Sequence, residues 1–448
     1  MRTRRCGLSA RSARLECTHS PARRTGPLPR RIPLSHRHAG APPARAGDVP
    51  SSESAVLLPL ILLSAAGFTV LTTEFILVGL LPSLSRDLGV SVSQAGLLVT
   101  LFAFAVAASG PFLTAYFARF ERKRLFIVVL LLFAASNVVA AMAPNLGVMA
   151  FARLIPALGV PVFWALASET AVDIAGQERA GRAISMISFG VICATVIGVP
   201  TGTLIADAFG WRAAFVALAV ASLLKAGMLY AFLPDSRGAQ PPKLAEQFRV
   251  LRDPRVVGHV LMSVLLFAGM FTAYTYLADL FERLAGFNGA VVGWALMAFG
   301  AVGLIGNTLG GRIVDRHPLR ASLIFSVPLA MGLILVAPSV QALPLFALAL
   351  ALWGITQAAL FPVSHVRVMK SAPQAPAFAA ALNVSGANLG IGVGAIVGGR
   401  VIDAVGVGGV GYAAAALVGV SVLLGLALMS AERSAAQRAA HAPAETVA

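Results

Sequence analysis

The stretch VLLPLILLSAAGFTVLTTEFILVGLL, Val56–Leu81, decides the class of this protein. About 20 consecutive apolar residues cross the hydrocarbon core of a bilayer, and this run exceeds that length. Its one charged side chain is Glu74, near the middle. A carboxylate is costly to place in hydrocarbon, so an ionisable residue there marks a functional site.

The rest of the chain has the same character. Hydrophobic residues make up 58% and charged residues 12%, with a mean hydropathy of +0.82. Soluble domains carry about a quarter charged residues. Apolar runs of spanning length fall at 56–82, 94–117, 125–144, 147–170, 183–206, 212–233, 257–279, 289–313, 321–338, 343–366, 378–402 and 411–430. The pattern predicts an all-α polytopic membrane protein of twelve transmembrane helices in two groups of six. The expected organisation is an N-terminal six-helix bundle over 56–233, a central loop over 234–256, a C-terminal six-helix bundle over 257–430 and a tail over 431–448. The central loop, PDSRGAQPPKLAEQFRVLRDPR from Pro234 to Arg255, has helix breakers in its first half. Its second half reads as a short amphipathic helix on the membrane surface.

Lys and Arg orient the chain. With both termini cytoplasmic, 18 of them after residue 55 fall on the inner side and only Arg86, Arg212, Arg283 and Arg400 on the outer. That bias obeys the positive-inside rule. Residues 1–55 differ in kind, with 11 Arg against Glu16, Asp48 and Glu53, and no apolar core of a signal peptide. They read as an Arg/Pro/Ala-rich disordered extension, and they carry +8 of the +16 net charge. The high charge is therefore poor support for a nucleic-acid partner, and none is expected. Cys6, Cys17 and Cys193 give neither a disulfide framework nor metal-ligand spacing. No phosphate-cradling G-x-x-x-x-G-K-[ST] occurs, so a nucleotide-driven pump is excluded.

Between the eighth and ninth runs, GRIVDRHPLR (Gly311–Arg320) resembles the signature loop of the major facilitator superfamily, G-x-L-A-D-R-x-G-R-K. Gly311, Asp315, Arg316 and Arg320 match, and Pro318 replaces the second glycine. A glycine there lets two helices approach, while the charges form a cluster at a helix end that locks one conformation. The N-half copy, TAYFARFERKR (Thr114–Arg124), has Thr114 for the glycine and Ala118 for the aspartate; it keeps Arg119, Arg122, Lys123 and Arg124. Glu169 and Asp173, near the inner end of the fourth span, are possible partners for these bases. In the fifth span GVICATVIGVPTG (Gly190–Gly202) is similar to the antiporter motif of proton-driven exporters, retaining Gly190, Gly198, Pro200 and Gly202, with Val199 in place of a glycine. Gly386, Gly390, Gly394 and Gly398 form a bare stripe on the eleventh span.

Together with TTEFILVGLLP, FWALAS, FTAYTYL and NLGIGVGA, these motifs make the chain resemble the drug:proton antiporter branch, near arabinose and sugar-efflux permeases and exporters of nucleosides and chloramphenicol. The resemblance implies a monomeric secondary transporter of the plasma (inner) membrane, not an enzyme. Its partners are then a small-molecule substrate and the lipid bilayer, with no cofactor or metal beyond the proton gradient as energy source. Proton-coupled efflux of sugars, nucleosides or drugs is the first reading; uptake symport is the alternative, and a non-transporting sensor the remaining one.

Two residues are assigned to proton coupling. Glu74 lies eight residues before Pro82 and Arg153 seven residues beyond Leu146, which puts both about 12 Å below the outer ends of their spans at 1.5 Å per residue. Arg153 also falls on the arginine of the superfamily's R-x-x-Q-G motif, here RLIPALG. Either Glu74 carries the proton beside a fixed positive charge, or the two form a permanent ion pair. Phe163, Trp164, Tyr274, Tyr276, Trp353, Gln357 and Asn388 are candidates for the substrate cavity, offering aromatic faces and amides near mid-span. Lys225 and His365 are expected to reach for the headgroups.

Overall fold

The computed structural model describes residues 53–235, 248–314 and 317–441. Twelve helices in it are long and apolar enough to cross a membrane: Val56–Leu88, Val92–Phe117, Arg122–Ala141, Leu146–Ala175, Gly181–Phe209, Trp211–Phe232, Pro254–Arg283, Ala290–Ile313, Pro318–Ser339, Leu343–Ser371, Phe378–Val405 and Val407–Ser434. They are called here the first to twelfth spans. No strand occurs among the described residues. The first six spans pack mainly on one another, as do the last six.

Several spans overrun the ends expected from apolarity alone. The first continues as helix through Pro82 to Leu88, and the fourth runs to Ala175. Backbone hydrogen bonding carries a helix past the point where its side chains turn polar. The last helix extends to His441, so much of the expected tail is helical. In the central loop, 236–247, where much of the expected surface helix falls, lies outside the described residues; Phe248–Arg252 is a 3₁₀ turn. The N-terminal extension falls almost wholly outside them too, as do Asp315 and Arg316 of the signature loop.

Small residues decide how closely the spans approach. On the eleventh span a Cβ at Gly390, Gly394 or Gly398 would strike the carbonyls of Val264, Ala268 or Thr272, so the expected stripe lies against the seventh span. On the fifth span, Gly190, Gly198 and Gly202 admit Ser64, Thr72 and Ile76 of the first in the same way. Gly311 is different. A Cβ there meets nothing within 4 Å, whereas one on neighbouring Gly310 would collide with the backbone of Ala359. The role of letting two helices meet belongs to Gly310, because one residue along a helix turns the side chain by about 100°.

Proline shapes the fifth span. Pro200 lacks an N–H, and the helix ahead of it relaxes into a π-turn over Ala194–Gly198. The seventh span is also interrupted, with helix to Tyr274 and a new segment from Leu277.

The two halves meet unevenly. At the end away from the Lys/Arg-rich connections, Arg86 Nη1 of the first span lies 2.5 Å from Glu282 Oε2 of the seventh. The fifth and eighth spans pack there as well: a Cβ on Gly293 would meet Leu204, and one on Gly300 would meet the backbone of Thr195 and Val196. The second and eleventh spans cross, with Thr100 Oγ1 donating to Gly392 O at 3.1 Å. The second and eleventh spans stay in touch toward the basic end, where a Cβ on Gly110 would meet Ser385, and a cavity lies between the two halves.

Candidate functional site

The cavity holds about 350 Å³ and takes its walls from both halves. Its lining runs from Glu74 and Phe75 to His365 and Asn383, near the basic ends of the tenth and eleventh spans. At the other end the rings of Phe75 and Phe271, one from each half, close it at 5.8 Å between centroids.

Glu74 is the one Asp, Glu, Lys or Arg on these walls among the described residues. The first span places it there because Thr69, Thr72 and Thr73 satisfy their hydroxyls on the preceding turn and bury, while Glu74 and Phe75 stay partly accessible. Its carboxylate makes no hydrogen bond or ion pair within the described residues. Arg153, 1% exposed, stands directly behind it. The guanidinium donates to the peptide oxygen of Thr73 through Nη1, and to that of Glu74 through Nη2 at 2.8 Å. It also lies 4.5 Å from the centroid of the Phe102 ring. The two residues are thus neighbours, and in this conformation Arg153 bonds the backbone oxygens of Thr73 and Glu74, not the Glu74 carboxylate. Arg153 spends its donors on the backbone under Glu74 and supplies positive charge from the rear.

Of the cavity candidates, Trp164, Tyr274, Gln357 and Asn388 line the space. Phe163, Trp353 and Tyr276 do not; they are fully buried behind it. Phe163 stacks edge-on against Trp164 at 5.5 Å, and Trp353 donates its indole N–H to Gln357 Oε1 at 2.7 Å. Tyr276 donates to Ala395 O at 2.7 Å and presses against Gly96, which ties the seventh, eleventh and second spans together at the closed end.

Reading the sequence missed several residues. Asn307 and Asn383 line the cavity, and so does His365, which faces it instead of reaching the headgroups. The signal available was the same as for Glu74, a polar side chain within a span. A second buried polar group sits at the basic end of the C-half. Arg367, 1% exposed, donates to His259 O at 3.0 Å and to Ser263 Oγ at 2.7 Å; Ser263 in turn donates to Asn383 Oδ1 at 2.8 Å. His259 Nε2 lies 3.1 Å from Glu432 Oε1 of the last helix.

The expected charge motifs are partly filled. Arg122 pairs with both Glu169, at 3.1 Å, and Asp173, joining the start of the third span to the end of the fourth. Lys123 reaches Asp235 at 3.1 Å. Arg119 stacks on the rings of Tyr116 and Phe120, 4.2 and 5.0 Å from their centroids. At the closed end, Asp87 accepts from Trp211 Nε1 at 3.0 Å and pairs with Arg212, a partner that sequence reasoning did not supply.

Comparison with known proteins agrees with this architecture. A family model described as Major Facilitator Superfamily matches residues 63–341 and 284–447. The chain is 30% identical over 372 residues to the inner membrane transport protein YdhP of Escherichia coli O157:H7, covering 83% of this chain and 94% of that one. It is 32% identical over 355 residues to the uncharacterized MFS-type transporter YtbD of Bacillus subtilis, covering 78% and 89%. Among solved structures it is similar to a bacterial homologue of the human lysosomal transporter Spinster, inward-facing and occupied, with a TM-score of 0.68 at 15% identity, covering 83% and 96%. A D-xylose–proton symporter gives 0.67 at 18%, covering 82% and 96%. At these identities the structural likeness speaks for the fold alone.

Proposed function

Because the chain belongs to the Major Facilitator Superfamily, we propose that it is a proton-coupled exporter that moves small aromatic molecules, neutral or singly cationic, by alternating access. The observation that carries the reading is Glu74, among the described residues an unpaired carboxylate and the lone charged Asp, Glu, Lys or Arg side chain on the cavity wall. Such a site binds a proton or a cationic group and disfavours anions, since no Lys or Arg among the described residues lines the space. Seven aromatic rings, among them Trp164, Tyr274 and Phe299, supply flat apolar surface for the remainder of a substrate.

The basic end is the cytoplasmic one under the positive-inside rule, and closure at the opposite end makes this conformation inward-facing. The name of the Escherichia coli relative supports placement in the inner membrane. In the proposed cycle, Glu74 faces the cytoplasm as a carboxylate, steadied from behind by Arg153, and substrate enters. After the halves rock, a proton from outside neutralises Glu74 and substrate leaves. The test is reconstitution in proteoliposomes with an imposed proton gradient and an aromatic cation such as ethidium. Gradient-driven movement toward the acidic side supports the proposal. Movement with the gradient identifies a symporter, and movement indifferent to it removes the coupling role of Glu74.

A further inference from the structure

Two of the cavity's amides have their orientation fixed from behind. Trp353 is fully buried and its indole N–H is a donor only, so the group it meets in Gln357 is the oxygen whichever way the amide is drawn. Gln357 Nε2, with its two hydrogens, is left for the cavity. Asn383 is set by a longer chain. Arg367 can only donate, and its Nη2 occupies a lone pair of Ser263 Oγ at 2.7 Å. The Ser263 hydroxyl then donates to Asn383 Oδ1 at 2.8 Å, in preference to His259 O at 3.4 Å, which Arg367 already serves. Asn383 Nδ2 is likewise left without an acceptor among the described residues.

We propose that Gln357 and Asn383 form the hydrogen-bond-donor side of the cavity, a donor pole on the C-half whose free N–H groups read acceptor oxygens of the substrate, with Trp353 and the Arg367–Ser263 pair as positioning residues. The pole lies on the tenth and eleventh spans, and Glu74 on the first supplies the acceptor side. Buried amides held one way discriminate by leaving a polar group unsatisfied when the ligand lacks its partner. The favoured substrate class is therefore an aromatic molecule with a carbonyl, ester or similar oxygen at one end and a cationic or hydrogen-bond-donating group at the other. Asn388 does not belong to the pole: its Nδ2 donates to Val384 O at 3.1 Å and its Oδ1 has no partner.

The inference rests on the cavity reading above, and a matched pair of probes separates the two. Phenacyltrimethylammonium and phenethyltrimethylammonium share ring and charge and differ by one carbonyl in place of a methylene. Titration calorimetry on the purified full-length protein should give the phenacyl compound a Kd roughly two- to tenfold lower, the worth of one neutral hydrogen bond. Gln357→Leu or Asn383→Leu, whichever amide the carbonyl meets, should shrink that ratio. Trp353→Phe should shrink it with Gln357 intact, an effect that a purely structural tryptophan would not produce. If a variant loses both ligands, its cavity has collapsed and the other two decide. Equal Kd values in the wild type, or a ratio unmoved by all three substitutions, overturn the donor pole and leave the cavity reading standing. Binding of neither ammonium to the wild type overturns both.

Discussion

Arg153 holds the peptide oxygens of Thr73 and Glu74, and the Glu74 carboxylate beyond them has no hydrogen-bond or ion-pair partner among the described residues. The arrangement separates two jobs that a direct ion pair would merge. The arginine fixes the backbone of the first span at mid-depth, where a buried guanidinium with few satisfied donors would be expensive. The carboxylate stays free to exchange a proton or meet a ligand.

This separation predicts unequal mutants. Glu74→Gln should leave thermal stability nearly unchanged, because no hydrogen bond is lost. It should abolish proton-driven accumulation while substrate counterflow continues. Arg153→Met should lower the melting temperature by several degrees and depress counterflow too, because two charge-assisted bonds of about 1.5–3 kcal/mol each disappear. Thermal unfolding in detergent, with paired counterflow and gradient-driven assays in vesicles, reads both.

Across the closed end, Arg86 and Glu282 form an ion pair between the two halves, with 64% and 24% of their side chains exposed. Exposed pairs contribute about 0–1 kcal/mol, which at most shifts a conformational ratio about fivefold. Arg86→Ala should raise the outward-open population by no more than that, and the swap Arg86→Glu with Glu282→Arg should restore it. Spin-label distances between the first and seventh spans report the change.

The superfamily glycine makes a sharper test. Gly311→Ala adds a methyl to open space and removes a helix-interior glycine, so it should stabilise by about 0.5–1 kcal/mol. Gly310→Ala drives the same methyl into the backbone of Ala359 and should destabilise by about 1–3 kcal/mol. Equal melting temperatures for the two variants would contradict the packing of the eighth span on the tenth.

The fold and the cavity carboxylate were legible in the sequence because both depend on what hydrocarbon forbids. Twelve apolar runs and a single acid in the first of them need no tertiary knowledge. Depth along a helix could also be counted, which brought Arg153 level with Glu74. Direction around the helix could not be counted, and there the reading erred. It assigned close approach to Gly311 instead of Gly310 and sent His365 to the headgroups instead of the cavity. Tyr276, too, was grouped with Tyr274, although the helix breaks between Tyr274 and Leu277 and sends the two rings different ways. Longer-range partners such as Asp87 with Trp211, or Arg367 with Ser263, join segments more than a hundred residues apart and leave no local trace.

The tyrosine pair turns that difference in direction into a measurement. Tyr274 lines the cavity, while Tyr276 is buried at the closed end with its hydroxyl on Ala395 O. Tyr276→Phe removes one buried hydrogen bond and should cost about 0.5–1.5 kcal/mol of stability. Its hydroxyl also presses against Gly96 of the second span, so the loss should speed opening of that end without changing which ligands bind. Tyr274→Ala should do the reverse, weakening aromatic ligands severalfold through lost ring contact. Its effect on the melting temperature of the empty protein should be smaller than its effect on the ligand-bound one. A Tyr276→Phe protein with altered ligand preference and unaltered stability would place that residue in the cavity after all.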